Sequence, residues 1–572
     1  MSEREGSQRE RGARRAGRPA APRGGAGIGG VPAFLSEERT QYGGRPRQLL
    51  VADADGTAWD YPRLSVATAS VTLVVIDLLA EAEQSRVAAL ASLDAGTQAG
   101  LGQFFTPARA AALIASMPRL PETGDLRVLD PGAGTGMLTA ALVTRVLNER
   151  PGLTLHAVAV ERDETVLPYL MQTLDAGKSA GDGRMTYEVV AGDFIMASTG
   201  LEADPRLVGF DLVIQNPPYA KLAASSPHRQ AVKQSGGDAP NLYAAFLAIA
   251  AAALRPGGQL VAITPRSFFN GPYFGAFRSY LLDHIALDRV HVFESRSTVF
   301  ADTGVLQENV VFSGTRDGER DSVTLSVSNG HEDDAAHRAV PYAEVVHPDD
   351  PYRFIRLATN DNDTETAEVM LSLPCSLRDL AVEVSTGRVV DFRSRDALLA
   401  QPTAEAHPLI YPGNLHGGGF VWPRGDIRKT QWFAPADAKD HMLLLPEGWY
   451  CVVKRFSAKE ERRRIVASVW SPEQVPGPVA FENHLNVFHV KGAGLDEATA
   501  RGLAHWLNST FVDRFFRMFS GHTQVNATDL RTLRFPTRET LRRLGGAAAG
   551  GLSQDDVDRL ISGVIQEIRA AA

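Results

Sequence analysis

The sequence predicts a doubly wound α/β domain, built on a mostly parallel β-sheet, followed by a second domain of mixed α+β structure. Three observations predict this arrangement. The chain has 572 residues, which is more than one hydrophobic core usually supports. Between residues 101 and 320, short β-branched runs alternate with Ala- and Leu-rich stretches of helical length, a pattern typical of βαβ units. Beyond residue 320 the alternation stops, and most of the tryptophans lie there.

The composition indicates a globular protein in a reducing compartment. The chain is 44% hydrophobic and 22% charged, with a formal net charge of −8, unlike a disordered chain. Its two cysteines cannot form a disulfide framework or a zinc cluster. The apolar run Val71–Ala80 is interrupted by Asp77 and is shorter than the roughly 20 residues that span a bilayer. We therefore expect a cytoplasmic protein with no membrane partner, and a local basic surface would suffice for binding nucleic acid.

Composition divides the chain into five expected segments. In order they are a disordered basic tail, a helical N-terminal segment, the α/β domain, the mixed domain, and a linker with a C-terminal amphipathic helix, at residues 1–46, 47–100, 101–320, 321–536 and 537–572. The tail can assist DNA binding or simply be solvated. The N-terminal segment carries two helical patterns. The last helix is predicted because Ser553 and Asp556 form a capping box ahead of an apolar face.

A glycine-rich turn follows the first predicted strand of the α/β domain. The strand ends at Asp130, and Gly132 and Gly134 then lead into a helix. Glycines at this place let the backbone pass close beneath a ligand at the carboxyl end of a strand. A tight turn without a ligand would look similar. A nicotinamide or flavin cofactor is disfavoured because Thr139 stands where the third small residue of the dinucleotide pattern belongs.

Acidic residues end the next two predicted strands as well. Glu161 ends the second strand, where a carboxylate can accept both ribose hydroxyls of an adenosine-like cofactor. Asp193 and Phe194 end the third strand, placing a polar acceptor and a ring where an adenine would lie. Together with Asp130, these carboxylates at three successive strand ends favour an adenosyl cofactor.

The tetrapeptide Asn216-Pro217-Pro218-Tyr219 is the most specific signal in the chain. It ends the hydrophobic strand that begins at Asp211. The prolines stiffen the backbone and remove two N–H donors, which leaves the Asn216 side-chain oxygen and the Pro217 carbonyl as fixed acceptors. Such acceptors suit a planar amino group conjugated to a ring, with Tyr219 offering a stacking face. A simple rigid turn is the alternative. The sequence offers no metal-ligand cluster, and this chemistry requires no metal.

Taken together, these motifs resemble the γ-class, adenine-specific DNA methyltransferases of restriction–modification systems, the TaqI-like group. The resemblance runs from Gly102 to about Phe312 and implies a Rossmann-like domain that uses S-adenosyl-L-methionine. It implies cofactor contacts from Phe105, Thr106, Pro107, Asp130, Gly132, Gly134, Glu161, Asp193, Phe194 and Phe246. It implies catalysis by Asn216, Pro217, Pro218 and Tyr219. Phe300 is a candidate second ring for holding the extruded base, and an aromatic core residue is equally compatible with that position.

The residues after 320 resemble, in their last part, the target-recognition domains of the same family. The candidates for contact with double-stranded DNA are Lys454, Arg455, Arg462, Arg463, Thr523 and Asn526. Basic and small polar side chains can contact phosphates and base edges, although a cationic run is also typical of a solvated face. The polar segment 222–240 can be a loop that orders on DNA or an ordinary surface loop.

The predicted function is methyl transfer from S-adenosylmethionine to the exocyclic amine of adenine in a specific DNA sequence. The target base would be flipped out of the duplex, and methylation would protect host sites from a partner endonuclease or serve a phage-defence complex. Three alternatives stay open from the residues alone. The chain can methylate a protein glutamine or an RNA base, it can be a recognition subunit without catalysis, or its target can be the amine of cytosine.

Overall fold

A computed structural model describes two compact units, divided between Ala67 and Thr68. The described residues are 51–52, 58–59, 69–93, 105–201, 203–293, 308–328, 336–416, 419–457, 461–521, 523–547 and 552–571. In the first unit, β1 (Val51–Ala52) and β2 (Ala58–Trp59) form an antiparallel pair. The expected basic tail, residues 1–46, lies outside the described residues. All further elements belong to the second unit.

A nine-stranded sheet forms the first part of the second unit. Its strands are β3 (Thr123–Pro131), β4 (Gly152–Glu161), β5 (Met185–Ala191), β6 (Phe210–Gln215), β7 (Leu254–Pro265), β8 (Ile285–Phe293), β9 (Asn309–Arg316), β10 (Ser322–Ser328) and β11 (Ala336–Pro341). Across the sheet their order is β11-β10-β8-β9-β7-β6-β3-β4-β5. The five strands from β7 to β5 are parallel, whereas β9 runs antiparallel between β7 and β8. The predicted doubly wound α/β fold is confirmed.

Helices cover both faces of this sheet, which explains why its central strands are apolar along their whole length. One face carries α1 (Ala69–Ser92), α2 (Ala108–Ser116), α3 (Met137–Glu149) and α4 (Leu167–Gly181). The other carries α5 (Phe194–Ala197), α6 (Pro227–Gln234), α7 (Leu242–Ala253) and α8 (Gly275–His284). The two helical patterns expected in the N-terminal segment instead belong to one continuous helix, α1, of 24 residues. Among the described residues, no helix is long and apolar enough to cross a bilayer.

The strand order reverses at β3, and this reversal positions the site. The chain passes from β3 to β4 and β5 on one side, and β6 lies on the other side of β3. In open α/β sheets, ligands bind outside the carboxyl ends of the strands at such a reversal. The glycine turn, Glu161 and Asn216 follow the carboxyl ends of β3, β4 and β6 at this edge.

The sheet extends beyond the boundary expected at residue 320. Strand β10 pairs in parallel with β8, and β11 pairs antiparallel with β10. The sequence pattern lost its βαβ rhythm there because these last strands are joined without a long helix between them. The nine-stranded sheet therefore ends at Pro341.

The remainder of the chain has the mixed α+β structure that the sequence predicts. Its helices are α9 (Tyr342–Val345), α10 (Asp361–Ser372), α11 (Ala438–His441), α12 (Glu497–Leu507), α13 (Thr510–Phe519), α14 (Ala527–Arg531), α15 (Arg538–Gly546) and α16 (Gln554–Ala571). Its strands are β12 (Glu383–Thr386), β13 (Leu398–Leu399), β14 (His407–Ile410), β15 (Leu415–His416), β16 (Gly419–Phe420), β17 (Trp432–Phe433), β18 (Tyr450–Lys454), β19 (Ala467–Trp470), β20 (Ala480–Phe481) and β21 (Leu485–His489). Two four-stranded sheets, β12-β21-β18-β19 and β13-β17-β14-β20, organise this region.

Residues 538–546, expected within a linker, instead form α15. This helix packs closely on α12 at a pair of glycines. A Cβ added to Gly502 would lie 1.9 Å from the Leu541 carbonyl oxygen, and one added to Gly545 would lie 1.9 Å from the Ala498 carbonyl oxygen. Of the Gly/Ala-rich stretch expected to be a linker, Gly545 therefore makes a close helix–helix contact, whereas residues 548–551 lie outside the described residues.

Buried polar contacts join the nine-stranded sheet to the C-terminal region. Arg266, just after β7, pairs with Glu308 at 2.8 Å and donates to the Met518 carbonyl oxygen. Asn270 donates to the Asp529 carboxylate at 3.2 Å. Burial raises the pKa of Asp529 to about 7. Because buried polar groups are costly when unpaired, these contacts hold the C-terminal region against the carboxyl edge of the sheet.

Candidate active site

The glycine turn after β3 is enclosed by two aromatic rings. Gly132 and Gly134 have φ of +70° and +55°, values that favour glycine. A Cβ on Gly132 would lie 3.3 Å from the Phe246 ring, and a Cβ on Gly134 would lie 3.1 Å from the Phe105 ring. The bare glycine backbone therefore lets two predicted site residues, Phe105 and Phe246, close in on the turn from different parts of the chain.

Asp130 lies beneath this turn rather than in the cavity above it. It is 1% exposed, and its carboxylate accepts a hydrogen bond from the Thr139 hydroxyl at 2.8 Å. Burial raises its pKa to about 7, and the Thr139 hydrogen bonds oppose this rise. Thr139 is the residue that departs from the dinucleotide pattern, and it ties helix α3 to the end of β3. Asp130 thus stabilises the turn through its hydrogen bond with Thr139.

Glu161 at the end of β4 is anchored by backbone donors. One carboxylate oxygen accepts from the Gly134 N–H at 2.8 Å, and the other accepts from the N–H groups of Arg162 and Asp163, each at 2.8 Å. Burial raises its pKa despite these hydrogen bonds. An ionised carboxylate offers about four acceptor sites, so it retains capacity to accept from a ligand hydroxyl.

Asp193 and Phe194 stand where the chain enters α5. One Asp193 oxygen caps this helix by accepting from the Met196 N–H at 3.1 Å. The other oxygen lies 2.9 Å from His228 Nε2. The Phe194 and Phe246 rings are tilted by 53° with centroids 5.1 Å apart. An acceptor and two rings therefore lie together on one side of the site.

The Asn216 side chain, just after β6, is held from two sides. Its amide nitrogen donates to the Thr106 hydroxyl at 3.0 Å, and its amide oxygen accepts from the Tyr219 hydroxyl at 3.2 Å. Burial raises the pKa of Tyr219, so this phenol is neutral and able to donate. The Tyr219 ring packs edge-on to Tyr243, with centroids 6.2 Å apart. The catalytic asparagine predicted from the sequence is therefore fixed with its amide oxygen in a hydrogen-bonding position.

These groups surround a cavity with about 900 Å³ of space between the protein atoms, part of it open to solvent. The predicted residues that line it are Phe105, Thr106, Gly132, Gly134, Glu161, Asp193, Phe194, Asn216, Pro218 and Phe246. The predicted residues outside its described lining are Pro107, Asp130, Pro217 and Tyr219. Phe300, the candidate base-holding ring, lies outside the described residues. The structure therefore brings together residues from six separate stretches of sequence.

Three polar residues at or beside the cavity were missed by the sequence analysis. Thr135 and Arg162 line it, and His228 reaches its Asp193. The Thr135 hydroxyl is buried and has no hydrogen-bond partner among the described residues. Thr135 lies inside the glycine turn and Arg162 follows Glu161, so their positions in the chain could have indicated them. His228 carried no such signal, because only folding brings it near Asp193.

The two predicted DNA-contacting segments lie side by side in the C-terminal region. The Ser457 N–H donates to the Thr523 carbonyl oxygen at 2.9 Å, and the Val525 N–H donates to the Arg455 carbonyl oxygen at 2.7 Å. Lys454 ends β18 immediately before this pairing. Residues some 70 positions apart in the sequence thus form one local surface.

The predicted DNA-contacting side chains differ in their surroundings. Arg462 and Thr523 are exposed, whereas Arg463 is half-buried and Asn526 is buried. Burial lowers the pKa of Arg463, although Asp558 and Asp513 oppose this shift. The Asn526 side chain forms a capping box at the start of α14. Arg463 and Asn526 therefore face the protein's own groups, while Arg462 and Thr523 face solvent.

An exposed aromatic residue on this surface was also missed. Phe456 is 45% exposed, and its ring centroid lies 5.0 Å from that of His484. The backbone at Phe456 forms a bridge with Gln524. The Phe456 ring is therefore available for contact with a ligand on this surface.

No group of three or more His, Cys, Asp or Glu side chains suited to a metal ion occurs among the described residues. The strand order, the glycine turn and the carboxylates at the sheet edge define a Rossmann-like α/β domain, of the class that binds its ligand where the strand order reverses.

Comparisons with known proteins agree with this class. Residues 192–300 match the Eco57I restriction-modification methylase family. The chain is 39% identical over 508 residues to type II methyltransferase M.PstI of Providencia stuartii, covering 87% of this chain and 99% of that one. It is 40% identical over 458 residues to type II methyltransferase M.BsuBI of Bacillus subtilis, covering 78% and 89%.

Among solved structures, the type IIL restriction-modification enzyme MmeI in complex with DNA aligns with 88% of this chain and 75% of its own. Its TM-score is 0.51 at 12% identity, a likeness of fold. The long, well-covered matches to M.PstI and M.BsuBI establish the relationship. The chain belongs to the type II methyltransferases of restriction–modification systems.

Proposed function

We propose that this protein transfers a methyl group from S-adenosylmethionine to the exocyclic amine of adenine in a specific double-stranded DNA sequence. Methylation would protect host sites from a separate partner endonuclease. The observation that carries the proposal is the Asn216 amide, held between Thr106 and Tyr219 at the rim of the cavity.

The residues around the cavity fit the proposed cofactor. The bare glycine turn gives the close approach that a nucleoside needs, and the buried Thr135 hydroxyl offers a polar contact there. Glu161 would accept from the ribose hydroxyls, and Asp193 would accept from the adenine amino group. Phe194 and Phe246 would pack against the adenine ring. When bound, the sulfonium cofactor supplies an electrophilic methyl group.

Asn216 would act on the amine that receives the methyl group. An exocyclic amine is a weak nucleophile because its lone pair is delocalised into the ring. As the nitrogen becomes tetrahedral its protons become more acidic, so fixed acceptors bind the transition state more tightly than the ground state. The Asn216 amide oxygen and the Pro217 carbonyl are these acceptors in our proposal.

Tyr219 has a second part in this proposal. Its hydroxyl donates to the same Asn216 oxygen that the target amine would use. The arriving base would therefore replace the Tyr219 hydrogen bond with its own and stack on the freed ring. This exchange keeps the half-buried Asn216 oxygen hydrogen-bonded at each stage, because an acceptor that loses its partner as it is enclosed costs free energy.

The C-terminal region would position the DNA. We assign target recognition to residues 342–536, since the nine-stranded sheet ends at Pro341. Arg462 and Thr523 would contact the duplex, and phosphate contacts would supply most of the affinity. The target base must leave the stack, because its amine cannot reach the cofactor inside a duplex.

Methyl transfer from labelled cofactor to DNA, RNA and protein tests the proposal directly. We expect labelled duplex DNA, with the product identified by nuclease digestion as N6-methyladenine. N4-methylcytosine would refute the assigned base, and label in RNA or protein alone would refute the assigned substrate.

The variant Asn216→Ala tests the role assigned to the Asn216 amide. We expect transfer to fall by about 10²–10³-fold, as when one transition-state hydrogen-bonding group is removed, with cofactor and DNA binding retained. Thr106→Val is the matched variant, because it removes a hydrogen bond that orients Asn216 and should reduce transfer less. Full activity in Asn216→Ala would refute the role assigned to this residue.

A further inference from the structure

Residues 221–241, which we name the clasp segment, leave the site and return to it. Tyr219 lies two residues before the segment, and directly after it comes Leu242, which lines the cavity. Its ends are tied together, since the Leu222 N–H donates to the Pro240 carbonyl oxygen at 3.0 Å and the Leu242 N–H donates to the Ala220 carbonyl oxygen at 2.8 Å. The clasp segment therefore connects two parts of the candidate active site, and its two ends are hydrogen-bonded to each other.

The clasp segment is folded rather than an open loop. It contains α6, whose N-terminus is capped by the Ser226 hydroxyl accepting from the Arg229 N–H. The Arg229 guanidinium forms two hydrogen bonds to the Asp238 carboxylate, at 2.7 and 3.0 Å. Val232 is buried in the core of the sheet. These contacts fix the position of α6 without any ligand.

His228 lies on α6 and reaches the cofactor side of the site. Its Nε2 lies 2.9 Å from an Asp193 carboxylate oxygen. A carboxylate only accepts hydrogen bonds, so the imidazole donates. The other Asp193 oxygen accepts from the Met196 N–H at 3.1 Å. The Arg162 guanidinium lies 3.5 Å from the oxygen that contacts His228. Both carboxylate oxygens are thus tethered, one of them by a side chain from the clasp segment.

We propose that His228 is a positioning residue that sets the orientation of Asp193 for recognition of the cofactor's adenine amino group. The inference rests on the proposed function, in which Asp193 accepts from that amine. A carboxylate on a single Cβ can rotate about its terminal bond, a broad torsion. Donors on both oxygens fix its plane and leave its remaining lone pairs directed at one place. An amino group at that place can donate a hydrogen bond to the carboxylate. A carbonyl oxygen at the same ring position is instead repelled by it.

The test measures discrimination between two cofactor-product analogues by titration calorimetry. S-adenosylhomocysteine carries the ring amine, and S-inosylhomocysteine carries an oxo group in its place. The variants are His228→Leu, which cannot donate, and His228→Asn, which retains an N–H donor. Gln230→Leu is the control, since Gln230 is exposed on the same helix. Thermal melting of each variant checks that the fold is retained.

We expect the wild-type protein and Gln230→Leu to prefer the adenosyl compound strongly. In His228→Leu this preference should fall by about tenfold, which corresponds to about 1.4 kcal/mol, mainly through weaker binding of the adenosyl compound. His228→Asn should recover part of the preference. In steady-state methylation, His228→Leu should raise the KM for the cofactor and leave the KM for DNA unchanged.

Other results overturn the inference. An unchanged preference in His228→Leu would show that Asp193 does not need the imidazole. An equal loss of affinity for both analogues would show a merely structural role for His228. If the wild-type protein binds neither compound, the proposed cofactor itself fails, and that outcome is distinguishable because it appears before any substitution is made.

Discussion

The cofactor cavity and the recognition surface of our proposal, the latter formed by residues 454–457 and 523–525, are assembled in different ways. In the cavity, Glu161 ends a strand, and the glycine turn, Asp193 and Asn216 follow the ends of three others within two residues, all in the parallel part of one sheet. On the recognition surface, residues 454–457 meet residues 523–525 through pairing between distant parts of the chain. Since parallel strands share one carboxyl edge, chain position predicts proximity in the first case. It does not predict proximity in the second.

The two regions also differ in how they use charge. Around the cavity, the buried carboxylates are held by donors from their own neighbourhood, such as the Gly134 N–H on Glu161. In the cationic run of the C-terminal region, Arg464 is buried and its backbone N–H donates to the Asp513 carboxylate at 2.6 Å, whereas Arg462 is exposed. The predictions that follow test each region in turn.

The largest expected effect is the loss of ligand affinity when a side chain is added to the glycine turn. In Gly134→Ala, a Cβ 3.1 Å from the Phe105 ring at φ +55° should deform the cavity. We expect affinity for S-adenosylhomocysteine, measured by calorimetry, to fall about 100-fold or more, on the order of 3 kcal/mol. Gly124→Ala is the control, because Gly124 also has a positive φ, of +109°, but has no described atom within 4 Å of its added Cβ. Equal binding by both variants would contradict the close fit at Gly134.

A smaller effect is expected on the recognition surface at Phe456. If its exposed ring stacks on a nucleic-acid base, Phe456→Ala should weaken DNA binding about tenfold, as stacked rings typically contribute 1–3 kcal/mol. Because no charge is removed, a plot of log affinity against log salt should keep its slope. Fluorescence anisotropy over a salt series measures both quantities. A changed slope with unchanged affinity would argue against stacking.

In both regions, one buried carboxyl should make the free energy of unfolding depend on pH, by about 1 kcal/mol for each group. Burial raises the pKa of Asp130 and of Asp529 to about 7. Each carboxyl therefore holds its proton more tightly in the folded than in the unfolded chain. The stability that this adds to the fold is complete below the unfolded-state pKa. It is lost as the pH rises through 7. Unfolding by urea should show a decrease of stability between pH 6 and pH 8. Asp130→Asn and Asp529→Asn should each reduce this decrease, and an unaltered pH profile would contradict the raised pKa values.

The smallest effect separates two neighbouring arginines. Arg462→Ala should lower DNA affinity about threefold and reduce the salt slope by about one, as expected for loss of one phosphate contact. Arg463→Ala should leave the slope unchanged and lower thermal stability instead, because Arg463 is half-buried near Asp558 and Asp513. Identical salt slopes for Arg462→Ala and the wild-type protein would remove Arg462 from the DNA interface.

The sequence by itself determined the α/β sheet, the turn beneath the cofactor cavity and the position of Asn216 at a strand end. These features depend on local physics: hydrophobic periodicity sets strand and helix, and Gly and Pro restrict the turns between them. The apolar face predicted for the last helix likewise corresponds to α16, Gln554–Ala571. Each prediction needed only residues that are close together in the chain.

Tertiary structure alone decided which side chains face the site and which face the protein. It brought His228 to Asp193 across 35 residues and placed Phe456 beside Gln524. It also continued the sheet through β10 and β11. The physical reason is common to all three. A polar or aromatic side chain, or an edge strand, takes the partner that completes its hydrogen bonds or packing, and local sequence does not specify a partner far along the chain.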